Sequence, residues 1–410
     1  MGRDEQAGGA IGTLAVHGGE RRPGPEASLV FPIYQAAVFA SEPDTDYHDI
    51  KYPRLSTTPS HQYLHAKLAA LEGGEAAVAT ASGMAAVTAI LLSLLRNGDH
   101  FLVSDCLYGG THDFITHHAG ELGWSYDFVD ARDPSSWAAA KTAQTRLFLV
   151  ETISNPLIRV PDLLDVLRFA RHEGLTSVID NTFASPVNFR PLEVGFDLVC
   201  HSATKYLNGH SDICAGCVVG PVALVERVRK TLNHYGGSLD AHACFLLARG
   251  LKTLAVRVRV QNANADALAR FLADHPQVTE VNYPGLPASP DHGRAAELFS
   301  GFGGVLSFRL RGGAEAAQRM LAALRIPSVA PSLGSVETLI TVPALTSHAG
   351  MSAEDRDRIG VGEDLVRVSC GIEDAQDLID DFRRALDEAA DVAGGEPPAV
   401  ASGRRDGTTR

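Results

Sequence analysis

Long hydrophobic runs are missing from this chain. No segment of its 410 residues reaches the ~18 uninterrupted apolar residues that a membrane helix needs. The opening stretch "MGRDEQAGGA" has no apolar signal-peptide core. The expectation is a cytoplasmic protein without a membrane partner. A basic excess is missing too: 36 Lys and Arg face 49 Asp and Glu, for a net charge of -13. Non-specific nucleic-acid binding needs a basic face, so no nucleic-acid partner is expected. Cysteines are few and scattered, at Cys106, Cys200, Cys214, Cys217, Cys244 and Cys370. Cys214 and Cys217 form a CxxC, but inside the apolar run "ICAGCVVG" and with no second pair at zinc spacing. They read as small buried side chains. No His, Asp and Glu cluster has metal-ligand spacing, so no metal is expected. His201 and His210 read as structural hydrogen-bonders. No internal repeat is evident.

What is present is a soluble-type composition, 45% hydrophobic and 21% charged, on a chain long enough for two or three domains. Residues 1–60 hold few periodic segments and many prolines, and read as an arm. From 61 to 255 helical patterns such as "YLHAKLAALEG", "AAVTAILLSLL" and "VPDLLDVLRFARHEG" alternate with short apolar runs, "HFLVSD", "RLFLVET", "LTSVIDN" and "FDLVCHS". That alternation predicts an α/β fold with a mostly parallel sheet covered on both faces. A long helical stretch follows, with Gly250 as a candidate kink. Residues 256–394 alternate again, through "GGVLSFRL", "ETLITV" and "LVRVSC", and predict a smaller α/β domain. The tail 395–410 lacks apolar residues in bulk and reads as disordered.

In a parallel sheet, ligands bind beyond the carboxyl ends of the strands. Lys205 follows such an end in "LVCHSATK", with Ser202 and Thr204 before it. A lysine amine there can form a Schiff base with a carbonyl, and the two hydroxyls can grip phosphate oxygens. The competing reading is a surface lysine. Asp180 ends "TSVID" and is either a helix cap or the carboxylate that keeps a pyridine nitrogen protonated. Ser82 and Gly83 precede a long apolar helix, whose N-terminus suits phosphate; the alternative is an ordinary serine cap. Tyr108 in "CLYGGTHDF" can stack on a flat ring and serve as acid or base, or is a half-buried loop tyrosine. Arg367 alternates with valines in "DLVRVSC" and needs a partner, either a buried acid or a substrate carboxylate. Along the chain the five features form a phosphate cradle, a ring-stacking aromatic, a ring-nitrogen acid, a Schiff-base lysine and a carboxylate clamp.

The set resembles the pyridoxal-phosphate enzymes of cysteine and methionine metabolism, which include cystathionine γ-synthase, cystathionine γ-lyase, methionine γ-lyase and the O-acylhomoserine sulfhydrylases. The resemblance runs over residues 12 to 390, through "LEGGEAAVATASGMAA", "LYGGT", "VIDNTF", "HSATKYLNGHSD" and "VRVSCGIED". It implies a fold-type-I subunit with pyridoxal 5'-phosphate as cofactor, assembled as a homotetramer from tight dimers. It implies that Lys205 carries the cofactor, that Asp180 pairs with the ring nitrogen and that Tyr108 stacks on the ring. Gly83 and Met84 backbone groups, with Ser202 and Thr204, would hold the phosphate. Asn155 would sit on the cofactor's hydroxyl side. Arg367, helped by Ser332, would bind the substrate carboxylate. Tyr52 and Arg54 match a Y-x-R that reaches the neighbouring subunit's phosphate.

Three departures bear on activity. "LSTTPS" replaces a shorter family loop that carries N-P-T. Gly110 stands where methionine γ-lyases have cysteine, and Pro331 where many members have glutamate. Plant-type cystathionine γ-synthases are similar to this chain in reading A-P-S around the last position. The expected reaction is therefore γ-replacement on an O-acylhomoserine-like amino acid with a thiol. The alternatives are a γ- or β-eliminating lyase, a specialised relative acting on an unusual amino acid, or a protein that binds the cofactor without catalysis.

Overall fold

The computed structural model describes residues 9–20 and 24–391; the tail expected at 395–410 lies outside them. Seven strands form the larger sheet: β1 (Ala76–Thr80), β2 (His100–Ser104), β3 (Ser125–Val129), β4 (Thr145–Glu151), β5 (Thr176–Asp180), β6 (Leu198–His201) and β7 (Gly216–Gly220). Their order is β1-β7-β6-β5-β4-β2-β3. The five strands from β6 to β3 run parallel, and β7 is antiparallel to both its neighbours. Period-two alternation sorts their side chains to opposite faces. Leu102, Phe148, Val150, Ile179 and Val199 enter one core, shared with the helix Leu163–Glu173. Their neighbours Phe101, Val103, Leu147, Leu149 and Val178 enter the other, shared with the helix Gly83–Leu94. Both faces are apolar because both are covered.

Sequence periodicity found β2, β4, β5 and β6. It missed β1 and β7, whose runs of alanine, glycine and valine carry little strand signal, and the half-exposed β3.

The chain leaves this sheet through two helices, Ala241–Leu251 and Leu254–Ala273. The break falls at Lys252 and Thr253, two and three residues beyond the predicted kink at Gly250. Gly250 is small for another reason: a Cβ there would stand 2.4 Å from the Asn208 carbonyl oxygen. The second helix then covers a five-stranded sheet of β8 (Val278–Asn282), β9 (Val305–Leu310), β10 (Ser328–Val329), β11 (Leu339–Thr341) and β12 (Leu365–Ser369), in the order β10-β11-β12-β9-β8. Leu268, Phe308, Met320 and Phe382 form the core between this sheet and the helices Leu254–Ala273, Gly313–Ala323 and Ala375–Asp391.

Between residue 24 and the helix Pro59–Glu72 the chain makes only short turns. It displays apolar side chains to solvent there, with Leu29 94% and Val38 81% exposed.

Candidate active site

The carboxyl ends of the parallel strands open on a cavity of about 550 Å³. Glu151 closes β4, Asp180 closes β5, and Ser202 follows β6; all three line it. Lys205 lies in the turn after β6 and lines the same space. Its Nζ donates to Ser332 Oγ at 2.9 Å. Burial, with Arg367 nearby, pulls its amine down to about 8 from the ordinary 10.5. About a tenth of the amine is therefore the uncharged nucleophile at pH 7, several hundredfold more than for an ordinary lysine. A solvated surface lysine would not show this.

Asp180 accepts the Thr182 backbone N–H at 2.9 Å and the Thr182 hydroxyl as well. Burial pushes its carboxyl up, while Thr182 and His201 work in the opposite direction. His201 is itself held at 2.5 Å by Glu72, which also accepts from Asn181 at 3.1 Å. The His201 expectation, a structural hydrogen-bonder, matches this contact. His210 Nδ1 donates to the nearby Asn208 carbonyl, at 2.7 Å.

The helix Gly83–Leu94 points its N-terminus at the cavity. Ser82 caps it, accepting the Ala85 N–H at 3.0 Å. The Ala86 N–H goes to the Ser82 carbonyl. That leaves the first-turn N–H groups of Gly83 and Met84 as anion donors on the cavity wall. Gly83 must be glycine for this approach, because a Cβ would lie 2.7 Å from Ser202 Cβ. Thr204 lines the cavity too, but its hydroxyl exchanges hydrogen bonds with Ala215, donating at 3.2 Å and accepting at 2.9 Å. Ser202 is the hydroxyl nearest the glycine turn.

Tyr108 precedes the helix Gly109–His118, with its ring 44% exposed. Its backbone N–H donates to Glu151 Oε1 at 2.7 Å. Gly110 gives the ring its room: a Cβ there would come within 2.6 Å of Tyr108 Cε1 and 3.3 Å of Met84 Sδ.

Arg367 is 2% exposed and forms no ion pair among the described residues. The buried-salt-bridge reading therefore fails. Nη1 donates to Asn155 Oδ1 at 2.9 Å and Nη2 to the Ser332 carbonyl at 3.0 Å, while Nε has no acceptor. Burial lowers this guanidinium to about 10. An uncompensated buried cation in a cavity wall calls for an anion from outside. Because Asn155 spends its oxygen on Arg367, its amide nitrogen remains as a donor.

Tyr52 and Arg54 do not line this cavity. Arg54 donates to Tyr47 Oη at 2.7 Å and to the Asn233 carbonyl at 2.9 Å. The departing loop, 55–60, is largely buried at the start of the helix Pro59–Glu72 and also stands apart from the cavity. Pro331 is in the wall.

The sequence reading missed several lining residues. Glu151 is the chief one, although it ends "RLFLVE" just as Asp180 ends "TSVID", so the strand-end rule could have found it. Thr346 and Ser347 come from a distant loop and carry no such signal. Cys214 corrects an expectation: Cys217 is buried, but Cys214 is exposed and lines the cavity, because it precedes β7 rather than lying in it.

The residues present fit pyridoxal 5'-phosphate. A poised amine, a strand-end acid, a glycine-opened helix N-terminus and an unmatched guanidinium meet in one space. A family model described as Cys/Met metabolism PLP-dependent enzyme matches residues 12–387. The L-methionine γ-lyase of Pseudomonas putida is 43% identical over 389 residues, covering 92% of this chain and 97% of that protein. The cystathionine γ-lyase of Bacillus subtilis (strain 168) is 38% identical over 376 residues, covering 92% of this chain and 98% of that one. Among solved structures, the cystathionine γ-synthase of Xanthomonas oryzae pv. oryzae in complex with aminoacrylate and cysteine matches with a TM-score of 0.90 at 39% identity. That match covers 94% of this chain and 100% of the other.

Proposed function

The chain belongs to the Cys/Met metabolism PLP-dependent enzyme family, and from that premise we propose that it catalyses γ-replacement. It is an enzyme, with pyridoxal 5'-phosphate as its cofactor. In the proposed reaction an O-acylhomoserine-like amino acid loses its acyloxy group and takes a thiol at the γ-carbon, as in a cystathionine γ-synthase. The observation that carries the amino-acid part of this reading is Arg367, a buried guanidinium without an acid, in the wall that also holds Lys205.

Bound pyridoxal phosphate supplies an electron sink for the negative charge left on the amino acid when its α-proton departs. Every other task falls to side chains of the chain. Lys205 would tether the cofactor and, once freed by substrate, would take the α-proton on Nζ, give it up again, and only then take a β-proton. Asp180 keeps a proton on the ring nitrogen, and Thr182 orients that carboxylate. Tyr108 stacks on the ring, and its hydroxyl is the candidate donor to the leaving acyloxy oxygen. Gly83 and Met84 N–H groups, with Ser202, seat the phosphate, and Thr204 joins them once its hydroxyl turns from the Ala215 carbonyl. Arg367 grips the substrate carboxylate, supported by Ser332. Asn155 meets the cofactor's hydroxyl side through its amide nitrogen.

Pro331 supports replacement over elimination. It adjoins Ser332, whose carbonyl Arg367 holds. An uncharged residue there presents no like charge to an anionic acyl group or an anionic thiol. Elimination is the second reading, in which water completes the reaction and releases a 2-oxo acid and ammonia. The exposure of the Tyr108 ring favours it, since solvent reaches that side of the cavity.

The exposed apolar arm fits assembly into a homotetramer, in which Tyr52 and Arg54 reach the phosphate of a neighbouring subunit. Incubation of the enzyme with O-acylhomoserine, with and without cysteine, tests the reaction. Cystathionine formed only with the thiol supports replacement. Equal 2-oxobutyrate with and without thiol rejects it in favour of the lyase.

A further inference from the structure

Glu151 has a place in the cavity that the reaction above does not use. It closes β4 in direct register with Asp180 at the end of β5, so two carboxyl groups stand side by side at neighbouring strand ends. Glu151 is only 7% exposed. Oε1 accepts the Tyr108 N–H at 2.7 Å, while Oε2 is buried without any hydrogen-bond partner. The ionisable groups around it are Asp180 on β5, Cys200 on β6, and Cys106 and Tyr108 after β2. None of these is a cation. Lys205 and Arg367 line the same cavity, yet neither forms an ion pair with Glu151.

The two acids are not equivalent. Asp180 receives two hydrogen bonds from Thr182 and the influence of His201. Glu151 receives the Tyr108 N–H on one oxygen, with the Asn155 backbone adding to it, and no side-chain donor. Like charges this close in a buried site do not both persist, and the proton goes to the less supported group. Burial first and the neighbouring Asp180 second push the Glu151 carboxyl well above its usual range.

We propose that Glu151 is a positioning residue that carries its proton in the working enzyme: one oxygen fixes the backbone of Tyr108, and the neutral carboxyl leaves Asp180 as the single negative charge at this end of the sheet. A second negative charge here would compete with Asp180 for the protonated ring nitrogen. This inference rests on the reading of Tyr108 and Asp180 as the groups that meet the ring.

Infrared spectroscopy of the full-length, cofactor-loaded enzyme at neutral pH tests it. The expected result is a protonated-carboxyl carbonyl band that Glu151→Gln removes and Asp180→Asn leaves in place. A spectrum without that band, or a band that persists in Glu151→Gln, overturns the proposal. The positioning role has its own readout. Glu151→Gln keeps an acceptor for Tyr108 and should hold kcat roughly five- to tenfold above Glu151→Ala, the scale of one hydrogen bond. Equal kcat in the two variants overturns it. If Glu151→Ala does not fold, the infrared comparison alone decides. Failure of the γ-replacement reading changes the product formed and leaves the infrared band untouched, so the two failures are distinguishable.

Discussion

Arg367 on β12 donates to Asn155 Oδ1 at 2.9 Å, a hydrogen bond that joins the smaller sheet to the loop after β4 of the larger one. The residue proposed to hold substrate therefore orients the residue proposed to meet the cofactor. Arg367→Lys removes the planar fork while keeping the charge. The expected outcome is a rise in KM of about 10- to 100-fold, the loss of a charge-assisted hydrogen bond or two. Steady-state kinetics check this, and cofactor affinity measured by equilibrium dialysis should fall as well, through Asn155.

The amine of Lys205, drawn down to about 8, sets a second expectation. Its neutral fraction rises with pH through that value, so the rate of cofactor uptake by cofactor-free protein should rise with a midpoint near it. Replacing Arg367 by methionine removes a neighbouring positive charge, which favours the protonated amine. The midpoint should then move upward, towards the ordinary lysine value. Stopped-flow absorbance against pH in both proteins measures it, and a midpoint that moves downward refutes the assignment.

Gly110→Ala tests the seat of Tyr108. The added methyl meets the edge of a ring that is partly open to solvent, so the ring gives way and the fold does not. Thermal stability should change by less than ~1 kcal/mol, whereas cofactor affinity should fall several-fold, the value of one aromatic contact. A melting curve and a cofactor titration separate the two effects.

Glu72 is buried beneath the site and holds His201 and Asn181. Glu72→Leu leaves His201 Nε2 without its acceptor and Asn181 with only the Phe189 carbonyl, and should cost about 3 kcal/mol of stability. Urea unfolding reads this. The double change Glu72→Leu with His201→Phe should be less destabilising than Glu72→Leu alone, because it removes both ends of the pair.

Much of this was legible in the sequence, for a physical reason. Lys205, Asp180, Ser82 and Gly83 sit at strand ends and a helix start, positions that hydrophobic periodicity locates directly. The α/β class followed from the same signal, and the family came from the resemblance of the stretches around these residues, such as "LYGGT" and "HSATKYLNGHSD". Arg367 was legible as an anomaly, a cation among valines, although only the structure shows that no acid among the described residues answers it. Cys214 was misread because two residues decide whether a side chain lies inside β7 or ahead of it. Thr346, Ser347 and the Ser332 contact to Lys205 depend on loops folding back over large sequence separations, which no local pattern encodes. Glu151 was passed over because an acid ending a strand resembles any loop acid until its neighbour on the next strand is known.

Ser332 gives the Lys205 amine a place to wait. A base that releases its bond to the cofactor and takes it up again in each turnover needs a perch within reach, or it drifts into solvent between steps. Here the perch belongs to the smaller sheet's side of the molecule, and Arg367 steadies its backbone. In the proposed reaction, the timing of the lysine's return is thus tied to how firmly the two halves of the subunit are drawn together.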